Sequence, residues 1–393
     1  MSTLKVDAIR HNSATSDAIT MASDGTCTAR ITGMTGGGGL SHRNLVINGA
    51  MMVSQRGVSF SGTAQRYTLD RMQMNTAGND EIAQTEQAAV TAGGAYTSGF
   101  RKCMKIINGN QTSGAGAGDI VHLKMVLEAQ DIANSGWNYT SSSSFITLSF
   151  WIKSSVAQDF PITLRSEDGT RQVYNMTTGS LTADTWTKVT KTIPGNSNLQ
   201  FDDDANAGLT LFINAFVGTD YTTGGLAQNA WSAWSGAKQG DNMTSTWYTT
   251  NNATLEITGI QLEVGDTATS FEHRSYGDEL KRCHRYYQRI NAPNMSYFGS
   301  GNIDGSNQSQ ILIPFTTEMR VKPSSMDTTG TASNYLLRRD SNVTCSQVPT
   351  LQNSSTHCAV TVFYKSSHGF SNGQACFGRS ASDDAFLGFS AEL

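Results

Sequence analysis

One group of residues combines a thiol with imidazole rings, which are the parts of a cysteine nucleophile or a metal site. Glu272 and His273 are neighbours, and Cys283 and His284 follow further along the chain. Adjacent residues on a helix do not face each other, so Cys283 and His284 are poorly placed to act as a pair. The sequence also lacks the HExxH and CxxC spacings of metal sites. We interpret these side chains as packing residues.

Three adjacent carboxylates, Asp202, Asp203 and Asp204, lie in the segment FDDDANAG. Such a cluster could bind Ca²⁺, but an EF-hand loop needs oxygen ligands at alternate positions and a distal glutamate, and this segment has neither. We therefore expect a solvated loop and no cofactor, with a structural calcium ion as the minor alternative.

Paired carboxylates could hydrolyse a glycosidic bond, and the sequence offers Glu167 with Asp168 and Asp383 with Asp384. Adjacency in a loop says nothing about the carboxyl separation of roughly 5–9 Å that such catalysis requires. The chain has no GxSxG, P-loop or Rossmann signature. We expect a protein that is not an enzyme.

Aromatic residues in predicted loops form the last group. Exposed rings can stack on the C–H faces of sugars, but they serve equally as core residues or as contacts between subunits. We select three such residues in each of two regions as glycan-binding candidates: Trp231, Trp234 and Trp247, and Tyr297, Phe298 and Phe370.

The elements that position these residues are predicted to be β-strands. Only 15% of the 393 residues are charged, and small hydroxyl and amide residues are abundant, which is typical of short strands joined by polar turns. Ser144–Ser154 carries apolar residues on both faces and is predicted as an inner strand of a sandwich. The order SFWIKSS, TWTKVTKTI, ITGIQLEVG is similar to the jelly roll of carbohydrate-binding modules. We expect an all-β protein.

A change of period divides the chain. Thr254–Val264 alternates with the period of a strand, whereas Ser275–Ile290 follows a helical period with Ser275 as its N-cap. The resulting domain prediction is an anchoring segment with a glycine-rich joint (1–43, joint Gly36–Gly39), a jelly-roll sandwich (44–272), a connecting helix (273–290) and a smaller C-terminal β domain (291–393).

Charge and cysteine content exclude some partners and leave one point open. The net charge is −4 with no basic stripe, so nucleic acid is not expected as a partner. The longest apolar runs are too short to insert in a membrane, and MSTLKVDAIRHNS has no apolar core of a Sec signal. Scattered cysteines suggest free thiols, although Cys345, Cys358 and Cys376 could form a disulfide within the C-terminal domain.

Three segments carry a family resemblance: Asn44–Gly57, Arg66–Met72 and Thr254–Ile290. They resemble tail-fibre and related receptor-binding virion proteins of tailed bacteriophages, in particular phages of marine cyanobacteria. The resemblance implies a homotrimeric appendage that attaches to tail or other virion proteins through residues 1–43 and recognises a host-surface polysaccharide. Such a protein is made in the host cytoplasm, released by lysis and located in the virion.

Two alternatives remain open at this point. The chain could be a head-decoration or collar fibre that reads no receptor, or a depolymerase spike that cuts the polysaccharide it binds. A β-helical spike would need a long run of short repeats, which the sequence lacks. The host, the sugar, the copy number and the attachment partner do not follow from the sequence.

Overall fold

The computed structural model describes residues 6–10, 12–13, 15, 17–23, 27–29, 42–62, 65–225, 227–240, 243–367 and 369–393. Most of the predicted anchoring segment, including the joint Gly36–Gly39, lies outside the described residues. Within that segment three short strands form one antiparallel sheet: β1 (Ala8–Ile9), β2 (Ile19–Met21) and β3 (Cys27–Ala29).

Two antiparallel sheets follow, and we call the strands β4 to β16 the sandwich. The strands are β4 (Ser59–Phe60), β5 (Gln65–Tyr67), β6 (Gln73–Ala77), β7 (Gln84–Ala89), β8 (Lys102–Ile107), β9 (Ile120–Glu128), β10 (Phe145–Ser154), β11 (Pro161–Ser166), β12 (Gln172–Thr177), β13 (Thr187–Pro194), β14 (Ala207–Val217), β15 (Trp231–Ala233) and β16 (Thr254–Val264). Short helices interrupt them: α1 (Gly93–Thr97), α2 (Ala129–Ala133), α3 (Thr246–Thr249) and a 3₁₀ turn at Thr219–Tyr221.

The sandwich confirms the predicted all-β, jelly-roll-type fold. Its six-stranded sheet has the order β13-β10-β16-β8-β7-β4, and its seven-stranded sheet has the order β15-β12-β11-β14-β9-β6-β5. Ile146, Leu148, Phe150 and Ile152 alternate along β10 and are fully buried in the core between the sheets. Because β10 pairs with β13 on one side and β16 on the other, it is the inner strand that its sequence predicts.

The helix after the sandwich is shorter than its periodicity predicts. Helix α4 (Tyr276–His284) begins as expected, since the Ser275 hydroxyl accepts a hydrogen bond from the Asp278 backbone. It ends at His284, and Tyr287–Asn291 is a strand rather than the last turn of a helix. This strand pairs with Phe386–Ser390, so tertiary pairing outweighs the local helical pattern there.

The remaining strands form what we call the C-terminal unit. They are β17 (Tyr287–Asn291), β18 (Tyr297–Ile303), β19 (Gln308–Pro314), β20 (Ser325–Thr328), β21 (Tyr335–Arg338), β22 (Asn342–Thr344), β23 (Thr350–Ser354), β24 (Cys358–Tyr364), β25 (Ala375–Ser380) and β26 (Phe386–Ser390), with a 3₁₀ turn at Ala332–Asn334. They make a three-stranded sheet, β17-β26-β20, and a seven-stranded sheet, β22-β21-β25-β18-β19-β24-β23.

The C-terminal unit has its own core, built around Ile311, Ile313, Phe363, Leu387 and Phe389.

Five cysteines with described side chains are free thiols: Cys103, Cys283, Cys345, Cys358 and Cys376. The three cysteines of the C-terminal unit therefore form no disulfide in this structure. Among the described residues, no helix has the length and apolar character needed to cross a membrane.

The segments that carry the family resemblance meet in space. The Asn44 side chain bridges the backbone of β16, donating to Ile260 O (3.1 Å) and accepting from Leu262 N (3.1 Å). Its backbone is held by Glu272, which accepts from Asn44 N (2.8 Å), and by Arg274, which donates to Asn44 O (2.6 Å). The motifs therefore build a structural latch between the start of the sandwich and the strand that completes it.

A buried ion pair continues this latch between the sandwich and the C-terminal unit. Arg71 donates to Glu392 across 2.5 Å, and the two side chains are only 6% and 4% exposed. The Arg71 guanidinium also lies 3.5 Å from the centre of the Tyr286 ring. Arg56 donates to the other Glu392 oxygen (3.2 Å) and stacks on Tyr287. We call this cluster the junction.

The last residue of β9 belongs to the junction as well. The Glu128 side chain is fully buried and accepts hydrogen bonds from Arg285 (2.7 and 2.6 Å) and from the Tyr286 hydroxyl (2.5 Å). Burial raises the pKa of Glu128, but the hydrogen bonds from Arg285 and Tyr286 outweigh it, and the net pKa lies below the usual value. The carboxylate is therefore held in its charged form.

We predict that Glu392→Ala lowers the free energy of unfolding by about 3–5 kcal/mol, because it leaves the buried Arg71 charge without its partner. Chemical denaturation followed by tryptophan fluorescence measures the change. Asp340→Ala is the control, since it removes an exposed ion pair with Arg339 and should cost less than about 1 kcal/mol. Equal effects of the two substitutions would contradict the prediction.

Candidate functional site

The structure corrects two of the six aromatic candidates for glycan contact. Trp247 is fully buried in the sandwich core, and its indole nitrogen donates to Thr254 O (3.0 Å). Phe298 is 6% exposed and belongs to the core of the C-terminal unit. Each ring faces inward, so neither offers a face on which a sugar could stack.

Two further candidates are half-buried and contact a core. Trp231 packs against Tyr174 with ring centres 5.1 Å apart, and its indole nitrogen donates to Pro194 O (2.7 Å). Phe370 packs against the C-terminal core. Tyr297 is different, because it is 54% exposed and lies beside the exposed Phe377 ring, 5.2 Å between centres.

Trp234 follows β15 on the outer side of the seven-stranded sheet of the sandwich. Two guanidinium groups lie near its ring, Arg165 at 5.1 Å and Arg171 at 5.6 Å from the ring centre. Its indole nitrogen is buried and has no hydrogen-bond partner. Trp234 and Tyr297 are thus on different parts of the molecule, and only Trp234 borders a larger group of polar side chains.

That group is the outer face of the seven-stranded sheet. Core residues such as Leu123, Ile162 and Leu211 alternate with residues that point the other way. We call the outward set the polar face: Gln73, Asn75, His122, Lys124, Thr163, Arg165, Asn175, Phe212, Asn214, Ser232 and Trp234.

Strand register arranges the polar face in rows. Asn75, His122 and Asn214 lie directly opposite one another across β6, β9 and β14. The next row crosses five strands and contains Gln73, Lys124, Phe212, Thr163 and Asn175. The third row contains Val126, Thr210, Arg165, Val173 and Ser232. A ligand lying across the strands would therefore meet the side chains of one row in order.

Several buried polar atoms on this face have no hydrogen-bond partner. They include both acceptors and donors: Gln73 Oε1, Asn75 Oδ1, His122 Nδ1, Asn175 Nδ2, Asn214 Oδ1, Ser232 Oγ and Trp234 Nε1. Leaving such a group unsatisfied costs roughly 1–3 kcal/mol. Four of these seven atoms belong to buried residues, and the other three belong to the partly exposed Asn75, Ser232 and Trp234.

Access to the polar face is partial. Asn75, Lys124, Arg165, Ser232 and Trp234 are partly exposed, whereas the other members of the rows are buried. The segment after β14 covers one end of the face, where the Thr163 hydroxyl donates to Gln239 O (3.0 Å). The partly exposed side chains form the rim that a ligand would meet first.

His122 is a neutral member of the polar face. Burial, together with the nearby charges of Lys124 and Arg165, lowers its pKa to about 3. The Asn75 amide lies 3.2 Å from His122 Nε2, which fits a donor amide and an acceptor nitrogen. The proton of the neutral ring then sits on Nδ1, the nitrogen that has no partner.

The carboxylates of the acidic cluster Asp202, Asp203 and Asp204 are engaged within the chain. Asp203 accepts from Asn134 (2.7 Å) and Asp204 from Asn206 N (2.9 Å), so these carboxylates serve loop amides and do not converge with Asp202 on a calcium ion. No group of three or more His, Cys, Asp or Glu side chains suited to a metal occurs in the part of the chain that the structure describes.

The thiol–imidazole group is likewise structural. His273 lies between Phe100 and Phe271, with ring centres about 5 Å away, and its Nε2 is 3.2 Å from Ser98 O. Cys283 is buried, and burial raises the pKa of its thiol well above the usual value. Cys283 thus lies near Arg71 and Glu392 of the junction, whereas His273 packs outside the junction against Phe100 and Phe271.

The polar face is absent from the sequence-based predictions, which concentrated on aromatic residues in loops. The signal that could have found it is the polar residue at every second position of strongly apolar strands, as in His122 and Lys124 of IVHLKMVLE or Asn214 of LTLFINAF. In a strand with a buried inner face, such alternation marks an outer face. Which strands lie side by side, and hence which residues share a row, depends on topology.

Comparisons with known proteins give little sequence support. No protein-family model matches the chain, and no curated protein matches it. Among solved structures, the enzymatically active domain of tailspike protein 4 of bacteriophage CBA120 is similar, with 9% identity and a TM-score of 0.30 over 56% of this chain and 21% of that one.

Two further similar structures come from Clostridium thermocellum. The carbohydrate-binding and catalytic modules of xylanase 10B match with 12% identity and a TM-score of 0.27, over 59% of this chain and 30% of that one. A family 11 carbohydrate-binding module matches with 13% identity and a TM-score of 0.23, over 55% and 98%. This chain thus spans less than a third of the tailspike and of the xylanase, and TM-scores this low carry no functional argument.

We predict that His122→Gln flattens the dependence of stability on pH. The folded-state pKa of His122, about 3, lies below the unfolded value of about 6.5, so the unfolded state takes up a proton first as the pH falls. Stability contributed by the neutral ring is therefore present above about pH 6.5 and lost towards pH 3. Between about pH 7.5 and pH 5 the wild type should lose about 2 kcal/mol more than the variant.

Urea denaturation at several pH values measures this difference. The control is His357→Gln, because the His357 side chain is 70% exposed. If His122→Gln and His357→Gln show the same pH profile, His122 is not the buried neutral group described above.

Proposed function

We propose that this protein is a non-enzymatic subunit of a bacteriophage virion appendage that binds a glycan of the host surface through the polar face of its sandwich. The observation that carries the proposal is the set of unmatched donors and acceptors on that face beside the half-buried Trp234. Sugar hydroxyl groups both donate and accept, and aromatic rings stack on the C–H faces of sugars.

The chemistry of the face fits binding better than catalysis. The carboxylate closest to its centre, Glu167, accepts from Arg165 (2.9 Å) and from the Thr210 hydroxyl (2.6 Å), and pairs with Arg171 (3.1 Å). A carboxylate engaged in this way is neither a free general base nor a proton donor. This supports a module that recognises a polysaccharide without cutting it.

The appendage role rests on the family resemblance and on the latch that its motifs build. Asn44, the first residue of the resembling motifs, is clamped by Glu272 and Arg274, so a segment attached upstream would be joined to a rigid body. We propose that residues 1–43 attach to tail or other virion proteins and that three copies associate. Several weak glycan sites would then add through their high effective concentration.

The C-terminal unit supports association of copies. Leu312 (49% exposed) and Phe377 (46%) lie opposite Ser300 on the outer face of its larger sheet, with Tyr297 (54%) nearby. Exposed apolar residues that form a patch mark interaction surfaces more often than isolated ones do. We propose that Tyr297 contacts a sister copy in the assembled trimer.

We predict that Trp234→Ala weakens glycan binding by tenfold or more, which corresponds to about 1.4 kcal/mol. The measurement is binding of the purified full-length protein to an array of bacterial surface polysaccharides, followed by titration of the bound glycans. Tyr276→Ala is the matched control, because it removes an exposed ring (56%) on helix α4 outside the polar face.

The same array locates the site. Loss of binding in Tyr297→Ala with retention in Trp234→Ala would move the glycan site to the C-terminal unit. If neither substitution affects a bound glycan, the polar face is not the binding surface. Release of reducing ends from a bound polysaccharide would contradict the non-enzymatic role and favour the depolymerase alternative.

A further inference from the structure

Lys124 is a half-buried cation in the middle row of the polar face that has no partner. Across the strands it lies opposite Gln73 on one side and Phe212 on the other. Among the described residues its ammonium group makes neither a hydrogen bond nor an ion pair. On the other sheet of the sandwich, Lys105 and Lys153 lie 3.0 Å and 2.9 Å from glutamate oxygens, whereas the half-buried Lys191 is, within the described part of the chain, unpaired like Lys124.

The groups around Lys124 do not supply the missing negative charge. Arg165 and Arg171 both pair with Glu167, the carboxylate nearest to this part of the face (2.8 and 3.1 Å). His122 is neutral because burial lowers its pKa to about 3. Glu167 is thus already paired with two arginines, and it makes no ion pair with Lys124.

The electrostatics of Lys124 follow from this arrangement. Burial lowers the pKa of Lys124, the charge of Glu167 raises it, and the charge of Arg165 lowers it again. A partly desolvated ammonium without a counter-ion is costly, and an anion that approached it would be bound more strongly than at an exposed lysine. The site therefore favours a ligand with a negatively charged group next to the Lys124 ammonium.

We infer that the glycan bound by the polar face is acidic and that its anionic group, a uronate carboxylate or a sulfate ester, is held by Lys124. This inference rests on the proposed glycan-binding function and specifies its ligand class. Lys124 lies diagonally across from the partly exposed Asn75 of the neighbouring row, whose amide can meet a sugar hydroxyl, while His122 and Asn214 of that row are buried. One sugar ring can span these two rows, because alternate residues of a strand lie about 7 Å apart.

The test uses pairs of polysaccharides that differ only in charge. Polygalacturonate is compared with its carboxyl-reduced form, and sulfated galactan with its desulfated form, on one array together with purified bacterial surface polysaccharides. The proteins are the wild type, Lys124→Gln, Lys124→Arg and the control Lys188→Gln, which removes an exposed lysine on the other sheet of the sandwich.

We expect binding of acidic glycans and at least tenfold weaker binding of their neutral counterparts. Lys124→Gln should remove this preference, Lys124→Arg should retain most of it, and Lys188→Gln should leave it unchanged. Wild-type binding should also weaken several-fold when the ionic strength rises from about 0.05 M to about 0.5 M. That salt titration tests the inference even if Lys124→Gln fails to fold.

The outcomes separate this inference from the proposed function. Suppose that the neutral and acidic members of each pair bind equally, that Trp234→Ala abolishes this binding, and that Lys124→Gln and salt do not change it. This result would overturn the inference of an acidic ligand and leave the proposed glycan binding in place. An array on which no glycan is bound would overturn both. Carboxylate and sulfate are distinguished by which of the two pairs shows the larger preference.

Discussion

The architecture depends on the burial of the Arg71 guanidinium between Glu392 and the ring of Tyr286. Its second nitrogen donates to the carbonyl of Val126, so one side chain connects the end of β9 to the C-terminal unit. The buried charge of Arg71 is tolerated only with its partners in place, because without them nothing would offset the cost of removing the guanidinium from water. The sandwich and the C-terminal unit are consequently held in one relative orientation, and the partners must come from distant parts of the sequence.

This constraint gives a physical reason for the long motifs that carry the phage resemblance. Gln55 and Arg274 are polar side chains of the kind found in binding sites, yet both form hydrogen bonds within the chain. Gln55 donates to Asp70 and Tyr287, and Arg274 donates to Asn44. Motifs of this kind specify how two bodies are joined. The polar face, the proposed ligand surface, carries no comparable motif. A family resemblance based on the latch therefore says more about architecture than about a ligand.

Much of the fold could be predicted from the sequence. Apolar residues on both faces of Ser144–Ser154 predicted an inner strand, and Ser275 predicted the start of α4, because both signals are local. The end of α4 could not be predicted, since the pairing of β17 with β26 joins residues about a hundred positions apart. The same limit explains the site. Trp247 is an aromatic residue of the type that binds sugars, but it lies in the core. His122 and Asn214 become neighbours only through the pairing of β9 with β14.

Asn44 determines where mechanical load enters the molecule. Its side chain is bonded to β16, a strand of the six-stranded sheet, whereas the polar face lies on the seven-stranded sheet. Tension applied to the chain upstream of His42 would pass through the Asn44 hydrogen bonds into β16 and from there into β10 and β8, its neighbours in that sheet. The strands that carry His122 and Lys124 lie in the other sheet. A load between the proposed attachment point and the proposed glycan site would therefore have to cross the core between the two sheets.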